Sequence, residues 1–484
     1  MLNKQKKLLL IIPPWNYVYK SLSLISREIV VAPPLGLLYI AAVAQMQDWN
    51  VKIVDMDAEG LLLPDALEVI KGFLPDLIGF SVATPFFNSV VGISRGIKEQ
   101  FDIPVIIGGA HPTVVGECSV VEGIDFAMMG ESELSFAQFL RSFVGERDYS
   151  SIPGLIFRQD GKIVVNPHSS SKVLMDELPL PARQLLPLES YKVNLPGYGQ
   201  RMYTSITTSR GCPYECIFCS VATIFGRSLR FRPVDLVVNE IEECKTRYGI
   251  THFHFVDDTL TVKRDYTIEL CNLLIEKNLN ITWEGWTRAD CIDEVLLRLM
   301  KESGFMRISF GLETGNKDIM ALIKKRVTHD QIHNAFALAG KLGIESRCSV
   351  MIGHPGETKK TVWETINFVR NERDIFYSNL SIATPYPGTQ LAHMAAQGDH
   401  GLRLLSSDPN KFVRYFSPVM EMNDLSAKDL KSIQMLGLVW IHLTPRRIYH
   451  AVRRFGMKNI IISMFSMGLT FIRMFFKGDR KKNE

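Results

Sequence analysis

Three cysteines fall within eight residues, in the run Ser209-Arg210-Gly211-Cys212-Pro213-Tyr214-Glu215-Cys216-Ile217-Phe218-Cys219. Thiolates are soft ligands that select iron–sulfur clusters, zinc or copper(I). Structural zinc usually takes four ligands, in pairs roughly two to four residues apart. Here the spacing offers three thiolates and no obvious fourth partner. A four-iron cluster held by three cysteines keeps one iron open for a substrate, a chemical reason for three rather than four. The competing reading is a zinc knuckle completed from a distance by Cys244 or a histidine. The remaining cysteines, Cys118, Cys244, Cys271, Cys291 and Cys348, are scattered. They read mostly as small buried hydrophobes.

The elements that must position these thiols follow from the hydrophobic pattern. A chain of 484 residues points to about two to four domains. Residues 1–150 alternate short apolar strands (Leu8–Ile12, Val51–Val54, Leu77–Ser81, Val105–Ile107) with helical stretches such as Leu35–Gln47 and Val90–Gln100. That alternation predicts a doubly wound parallel sheet, with ligands beyond the carboxyl ends of its strands. Residues 151–198 read as a connector, with a hairpin around Asp160-Gly161 and then Pro179, Pro181 and Pro187. Residues 199–395 alternate again, over strands Ser205–Thr208, His252–Val256, Ile281–Trp286, Met306–Phe310, Arg347–Ile352 and Leu380–Thr384. Six strand–helix steps predict a partial (β/α)6 barrel, whose active site belongs at the carboxyl ends of the strands. The cysteines follow the first of them.

Residues 396–484 read as a helical C-terminal region. From Pro445 it carries ten Lys and Arg against Asp479 and Glu484, around the apolar run Ile460–Ile472. The run is too short to span a bilayer, which takes about 20 apolar residues. A basic, apolar segment of this kind can lie in a membrane interface, or pack on the protein itself. The net charge of +4 argues against nucleic acid as a partner. The opening apolar run ends at Pro13-Pro14 with no small-residue cleavage site, so a cytoplasmic protein is expected, at most peripheral on the inner membrane face.

In order along the chain, these features resemble the radical S-adenosylmethionine (SAM) superfamily. The Cys-x3-Cys-x2-Cys run is its signature, with Cys212, Cys216 and Cys219 as metal ligands. Val256-Asp257-Asp258 ends the second barrel strand. Gly311-Leu312-Glu313 follows the fourth, Gly353-His354-Pro355-Gly356-Glu357-Thr358 the fifth, and Pro385-Tyr386-Pro387-Gly388-Thr389 the sixth. The resemblance implies a 4Fe-4S cluster whose open iron chelates SAM and cleaves it to a 5′-deoxyadenosyl radical. It makes Asp257, Asp258, Gly311, Glu313, Gly353 and Pro355 candidate cofactor contacts. Each motif alone has an ordinary structural reading as a cap or turn.

Upstream, Ala32-Pro33-Pro34-Leu35-Gly36-Leu37, Gly108-Gly109-Ala110-His111-Pro112 and Gly130-Glu131-Ser132-Glu133 resemble the cobalamin-binding half of cobalamin-dependent radical enzymes. The resemblance covers roughly residues 8–395. It implies a Rossmann-like cobalamin domain with Asp55, Ser81, Gly108, Gly109 and Gly130 as contacts. In place of the Asp-x-His-x-x-Gly motif stands Asp55-Met56-Asp57-Ala58-Glu59-Gly60, so that motif supplies no histidine to cobalt. His111, beside Pro112, reads as a hydrogen-bonded loop residue rather than its replacement. The expected activity is cobalamin-dependent methylation of an unactivated carbon in a hydrophobic small molecule (a lipid, isoprenoid or tetrapyrrole), with a flavodoxin or ferredoxin as electron donor. The rivals are a radical oxidative cyclase of the same architecture and a non-catalytic membrane-associated redox or cobalamin sensor.

Overall fold

The computed structural model describes residues 5–14, 32–168, 172–195 and 197–452. Most of the basic tail, with Ile460–Ile472, lies outside the described residues. Two seven-stranded sheets organise the chain.

The first contains β1 (Lys7–Ile12), β2 (Asn50–Asp55), β3 (Leu77–Ser81), β4 (Val105–Gly108), β5 (Phe126–Met128), β6 (Leu155–Gln159) and β7 (Lys162–Val165), in the order 2-1-3-4-5-6-7. β2 to β5 are parallel neighbours around β1. Leu8, Leu9, Leu10 and Ile11 are all buried, because helices cover both faces. One core contains Leu8 and Leu10 with the helix Leu35–Met46; another contains Leu9 and Ile11 with the helix Phe87–Lys98. The hairpin around Asp160-Gly161 forms as expected, and β6 then adds antiparallel to β5. The front of the predicted connector therefore extends the first sheet.

The second sheet runs in the order 16-15-14-13-12-9-8. Its strands are β8 (Lys192–Leu195), β9 (Gly199–Ile206), β12 (His252–Phe255), β13 (Thr282–Thr287), β14 (Phe305–Glu313), β15 (Glu345–Ile352) and β16 (Tyr377–Ile382). β9 and β12 to β16 are parallel and form a curled half-barrel. β8, from the end of the connector, pairs antiparallel with β9 at the edge. Burial alternates along β15: Ser346, Cys348, Val350 and Ile352 face the helices, and Glu345, Arg347, Ser349 and Met351 face the lumen. On the lumen face Glu284 and Glu345 bracket Arg307, and His254 contacts Glu284. Between β9 and β12 a small ribbon, β10 (Ser209–Arg210) and β11 (Arg230–Phe231), closes the base of the cysteine loop.

The helix Ala427–His442 lies on β16, close enough that a Cβ on Gly437 would stand 2.7 Å from Ile366 Cδ1 and 2.8 Å from Leu380 Cδ2. Arg447, read from the sequence as part of a basic tail, is instead buried. It donates to the carbonyl oxygens of Val369, Glu372 and Ile441, at the ends of two helices where they lack intrahelical partners, and to that of Ile375 just before β16.

Candidate functional site

The cysteine loop is tethered close to where it leaves the sheet. Asp257, fully buried at the end of β12, accepts from Thr208 N at 3.1 Å, Thr208 Oγ1 at 2.7 Å and Ser209 Oγ at 2.5 Å. Its carboxylate is thus occupied in bracing the segment before Cys212, and burial raises its pKa. Asp258, next in sequence, is exposed at the strand end. Desolvation, then the charge of Asp257, lifts its carboxyl to about 7. Of the Asp-Asp pair, Asp258 is the one free to meet a ligand.

All three cysteines are half-buried. Burial pushes the Cys219 thiol up to about 12 and raises Cys216; Cys212 adds to both shifts, and Cys216 to that of Cys219. A bound metal must offset that, since the thiolate is the ligand. Among the described residues no three His, Cys, Asp or Glu side chains converge as a single ion would need. Cys244, the proposed fourth zinc ligand, is buried in the barrel core instead. Three half-buried thiols on one loop, with Cys244 packed away in the core, fit a cluster with a free iron better than four-coordinate zinc. The exposed Cys118 is an exception to the buried reading of the scattered cysteines; Cys291 is half-buried with its Sγ 3.1 Å from Tyr214 Oη.

Cationic groups surround this loop. Glu313 adopts a left-handed conformation (φ 67°) and pairs with Lys325 at 3.1 Å, both buried. A Cβ at Gly311 would collide with that pair. Arg288 lies 3.6 Å from the centroid of the Tyr214 ring, donates to Lys325 O at 2.7 Å, and keeps Nη1 buried without a partner. Lys325 and Arg288 both act on the Cys216 thiol in the direction that favours thiolate.

The loop after β15 is built on Glu357. Its Oε2 accepts from Gly353 N at 2.6 Å and His354 N at 3.0 Å, while Oε1 is buried without a partner. Burial lifts its pKa to about 8. His354 is also fully buried, held neutral with its pKa near 3; both ring nitrogens are unpartnered and its ring centroid lies 5.7 Å from that of Phe218. Gly353 (φ 90°) makes the turn and Pro355 is buried within it. Sequence reasoning had not singled out Arg288, Lys325, His354 or Glu357 as site residues. His354 and Glu357 lie inside the motif after β15 and Arg288 directly follows β13, whereas Lys325, just past the helix Lys317–Leu322, carries no local signal.

At the carboxyl ends of β1, β3, β4 and β5 lies a cavity of about 320 Å³. Ser81, Gly108, Gly109 and Gly130 all line it; Asp55 does not. Asp55 is buried and accepts from Tyr191 Oη at 2.5 Å and from the backbone of Asp57 and Ala58, so it holds its own loop and the connector. His111 is buried against Phe87 with Nδ1 3.2 Å from Thr84 Oγ1, a loop-anchoring role. The cavity walls are largely apolar and rich in glycine, and a Cβ on Gly79 would come within 2.7 Å of Leu10 Cδ2. Such walls fit the close approach of a large, mostly apolar group such as part of a corrinoid. The far wall comes from the barrel: Arg210, Ile224 and Phe225, which flank the cysteines in sequence.

A (β/α) half-barrel with a three-cysteine loop, facing a Rossmann-like domain with a glycine-walled cavity, defines an enzyme that carries two kinds of metal cofactor. Residues 206–369 match the Radical SAM superfamily and residues 30–140 match the B12 binding domain. The uncharacterized methyltransferase PH0819 of Pyrococcus horikoshii is 32% identical over 449 residues, 92% of this chain and 94% of that protein. The cytidylyl-2-hydroxyethylphosphonate methyltransferase of Streptomyces wedmorensis is 28% identical over 414 residues, 74% of this chain and 77% of its own. The radical SAM methyltransferase TsrM of Kitasatospora setae, solved with cobalamin and a [4Fe-4S] cluster, superposes with a TM-score of 0.69 over 91% of this chain and 89% of that one. At 17% identity, that likeness shows the shared fold. The chain belongs to the cobalamin-dependent radical SAM methyltransferase family. Its cofactors are a 4Fe-4S cluster, SAM and cobalamin.

Proposed function

We propose that this enzyme methylates an unactivated carbon of a hydrophobic, lipid-like small molecule. The observation that carries the reading is the shared wall: Arg210, Ile224 and Phe225 flank the cysteine loop and line the cavity of the other sheet, so a substrate between the two would face both. When bound, the cofactors supply a radical that activates the carbon and a methyl group to fill it. The chain's own residues do the rest. Cys212, Cys216 and Cys219 hold the cluster, with Lys325 and Arg288 favouring the thiolate of Cys216. Asp258 and the loops at Gly311–Glu313 and Gly353–Pro355 receive SAM. Ser81, Gly108, Gly109 and Gly130 form the corrinoid wall. A flavodoxin or ferredoxin provides the electron.

The test is anaerobic incubation of the reconstituted protein with cobalamin, reductant and SAM, followed by mass spectrometry. 5′-Deoxyadenosine and S-adenosylhomocysteine together support methyl transfer. 5′-Deoxyadenosine alone would move the assignment to a cyclase-type reaction.

The hydrophobic substrate is supported by a surface. Leu436, Val439 and Trp440 on Ala427–His442, and Leu443 just past its end, keep helical spacing and are all exposed, as are Ile448 and Tyr449 beyond them. Arg370 stacks on Trp440 at 3.8 Å, and Arg446 lies just after the stripe. No helix among the described residues is long and apolar enough to cross a membrane. An apolar stripe with Trp and Tyr beside basic residues is suited to the plane of an anionic lipid surface. The intact protein should co-sediment with phosphatidylglycerol vesicles more than with phosphatidylcholine vesicles, and Trp440→Glu should weaken that binding. Equal indifference to both vesicles would remove the membrane from the proposal.

A further inference from the structure

The ribbon at the base of the cysteine loop is tied to the first domain by two carboxylates, Glu131 and Glu133. β10 runs into the loop and β11 follows it, so the pair Arg210–Arg230 brackets all three cysteines. Both arginines converge on Glu131: Arg210 Nη1 lies 3.1 Å and Arg230 Nη1 2.8 Å from its Oε2, and Arg230 Nη2 also binds Oε1. The second arm of Arg210 reaches Glu133 Oε1 at 2.5 Å. Side-chain exposure is 4% for Glu131 and 9% for Arg210 and Glu133. The Arg210 guanidinium lies 5.7 Å from the ring centroids of both Tyr39 and Phe225, which helps fix its direction.

Glu131, Glu133 and Arg210 also line the cavity. Glu133 Oε2 is buried with no hydrogen-bond partner. An unpaired carboxylate oxygen is costly to bury, and an N–H donor on the cavity's occupant would relieve it. The rim of a corrinoid carries carboxamide groups, which are such donors.

We propose that Glu133 senses the occupant of the cavity and that Arg210 is a positioning residue that relays this to the cysteine loop. A donor on Glu133 draws charge from the Glu133–Arg210 pair. Arg210 then leans more on Glu131, and the ribbon that sets the base of the loop moves with it. The proposal rests on the reading that the cavity takes cobalamin.

The experiment uses the full chain with its cluster rebuilt and SAM added. Hydroxocobalamin is titrated in, binding is followed by absorbance, and the reduced cluster by electron paramagnetic resonance. In the parent protein, cobalamin should alter the cluster spectrum. Arg210→Met should keep its iron and still bind cobalamin, yet its spectrum should no longer respond; Arg210→Lys should recover part of the response. Glu133→Gln gives Arg210 its single oxygen and turns an NH2 group towards the cavity, so cobalamin Kd should rise about tenfold. If Arg210→Met does not fold, the Glu133→Gln affinity and spectrum decide. A parent that binds cobalamin with no spectral change overturns the relay alone, as does an Arg210→Met variant that responds like the parent. An unchanged Kd in Glu133→Gln overturns the sensing role. A parent that binds no cobalamin overturns the cavity reading and the relay with it.

Discussion

Glu357→Gln isolates the consequence of burying a carboxyl under the loop after β15. In the native protein Oε2 accepts from Gly353 N and His354 N, and Oε1 faces no donor. Burial raises the pKa from 4.5 to about 8. Below about pH 4.5 the group is protonated both folded and unfolded, and its contribution to stability is fully present. As pH rises towards 8 the unfolded chain ionises and the folded one resists, so the native protein loses about 1.4 kcal/mol per pH unit. Above about 8 both states are ionised and the loss stops, at a ceiling of roughly 5 kcal/mol. Glutamine is close to isosteric, accepts the same two N–H groups through Oε1 and does not titrate. The variant should therefore lie within about 1 kcal/mol of the parent near pH 5 and exceed it progressively up to pH 8. Urea midpoints of cluster-free protein, read by circular dichroism at half-unit steps from pH 5 to 9, measure the difference. Parallel profiles for the two proteins would refute the reasoning.

Other perturbations test separate parts of the site. Glu313→Gln leaves Lys325 buried without its carboxylate and should cost about 3–5 kcal/mol, whereas the double variant Glu313→Gln/Lys325→Met should recover most of it in the same urea assay. Gly79→Ala places a Cβ 2.7 Å from Leu10 Cδ2 on the cavity wall; it should destabilise by about 1–3 kcal/mol and lower the cobalamin retained after gel filtration. Gly92→Ala, exposed in the middle of the helix Phe87–Lys98 with open space around it, should instead stabilise by about 0.5–1 kcal/mol in thermal melts. Cys212→Ala should abolish bound iron and SAM cleavage while leaving the melting temperature of the iron-free protein nearly unchanged; full iron content would remove that cysteine from the ligand set.

Whatever depends on near neighbours along the chain is legible in the residues alone. The apolar run Leu8–Ile11 already reads as a strand covered on both sides, and alternation along β15 marks one face for helices and one for the lumen. The spacing of Cys212, Cys216 and Cys219 places three thiols on one loop, and motifs that follow strands must gather at one end of a parallel barrel. Which of those motif residues remain free depends on partners brought from elsewhere in the fold. Asp257 and Asp258 are adjacent and chemically identical, yet one is consumed by Thr208 and Ser209 while the other is exposed. Asp55 is bonded to Tyr191, far along the chain, and so never reaches the cavity. Arg447 reads as tail charge until the carbonyl groups of two helix ends and of Ile375, beside β16, surround it. The role of Glu133 depends on Arg210, and the two meet only when the sheets face each other. Backbone periodicity is local, whereas the worth of a charged or polar group is set by whichever partners, or absence of water, the fold places around it.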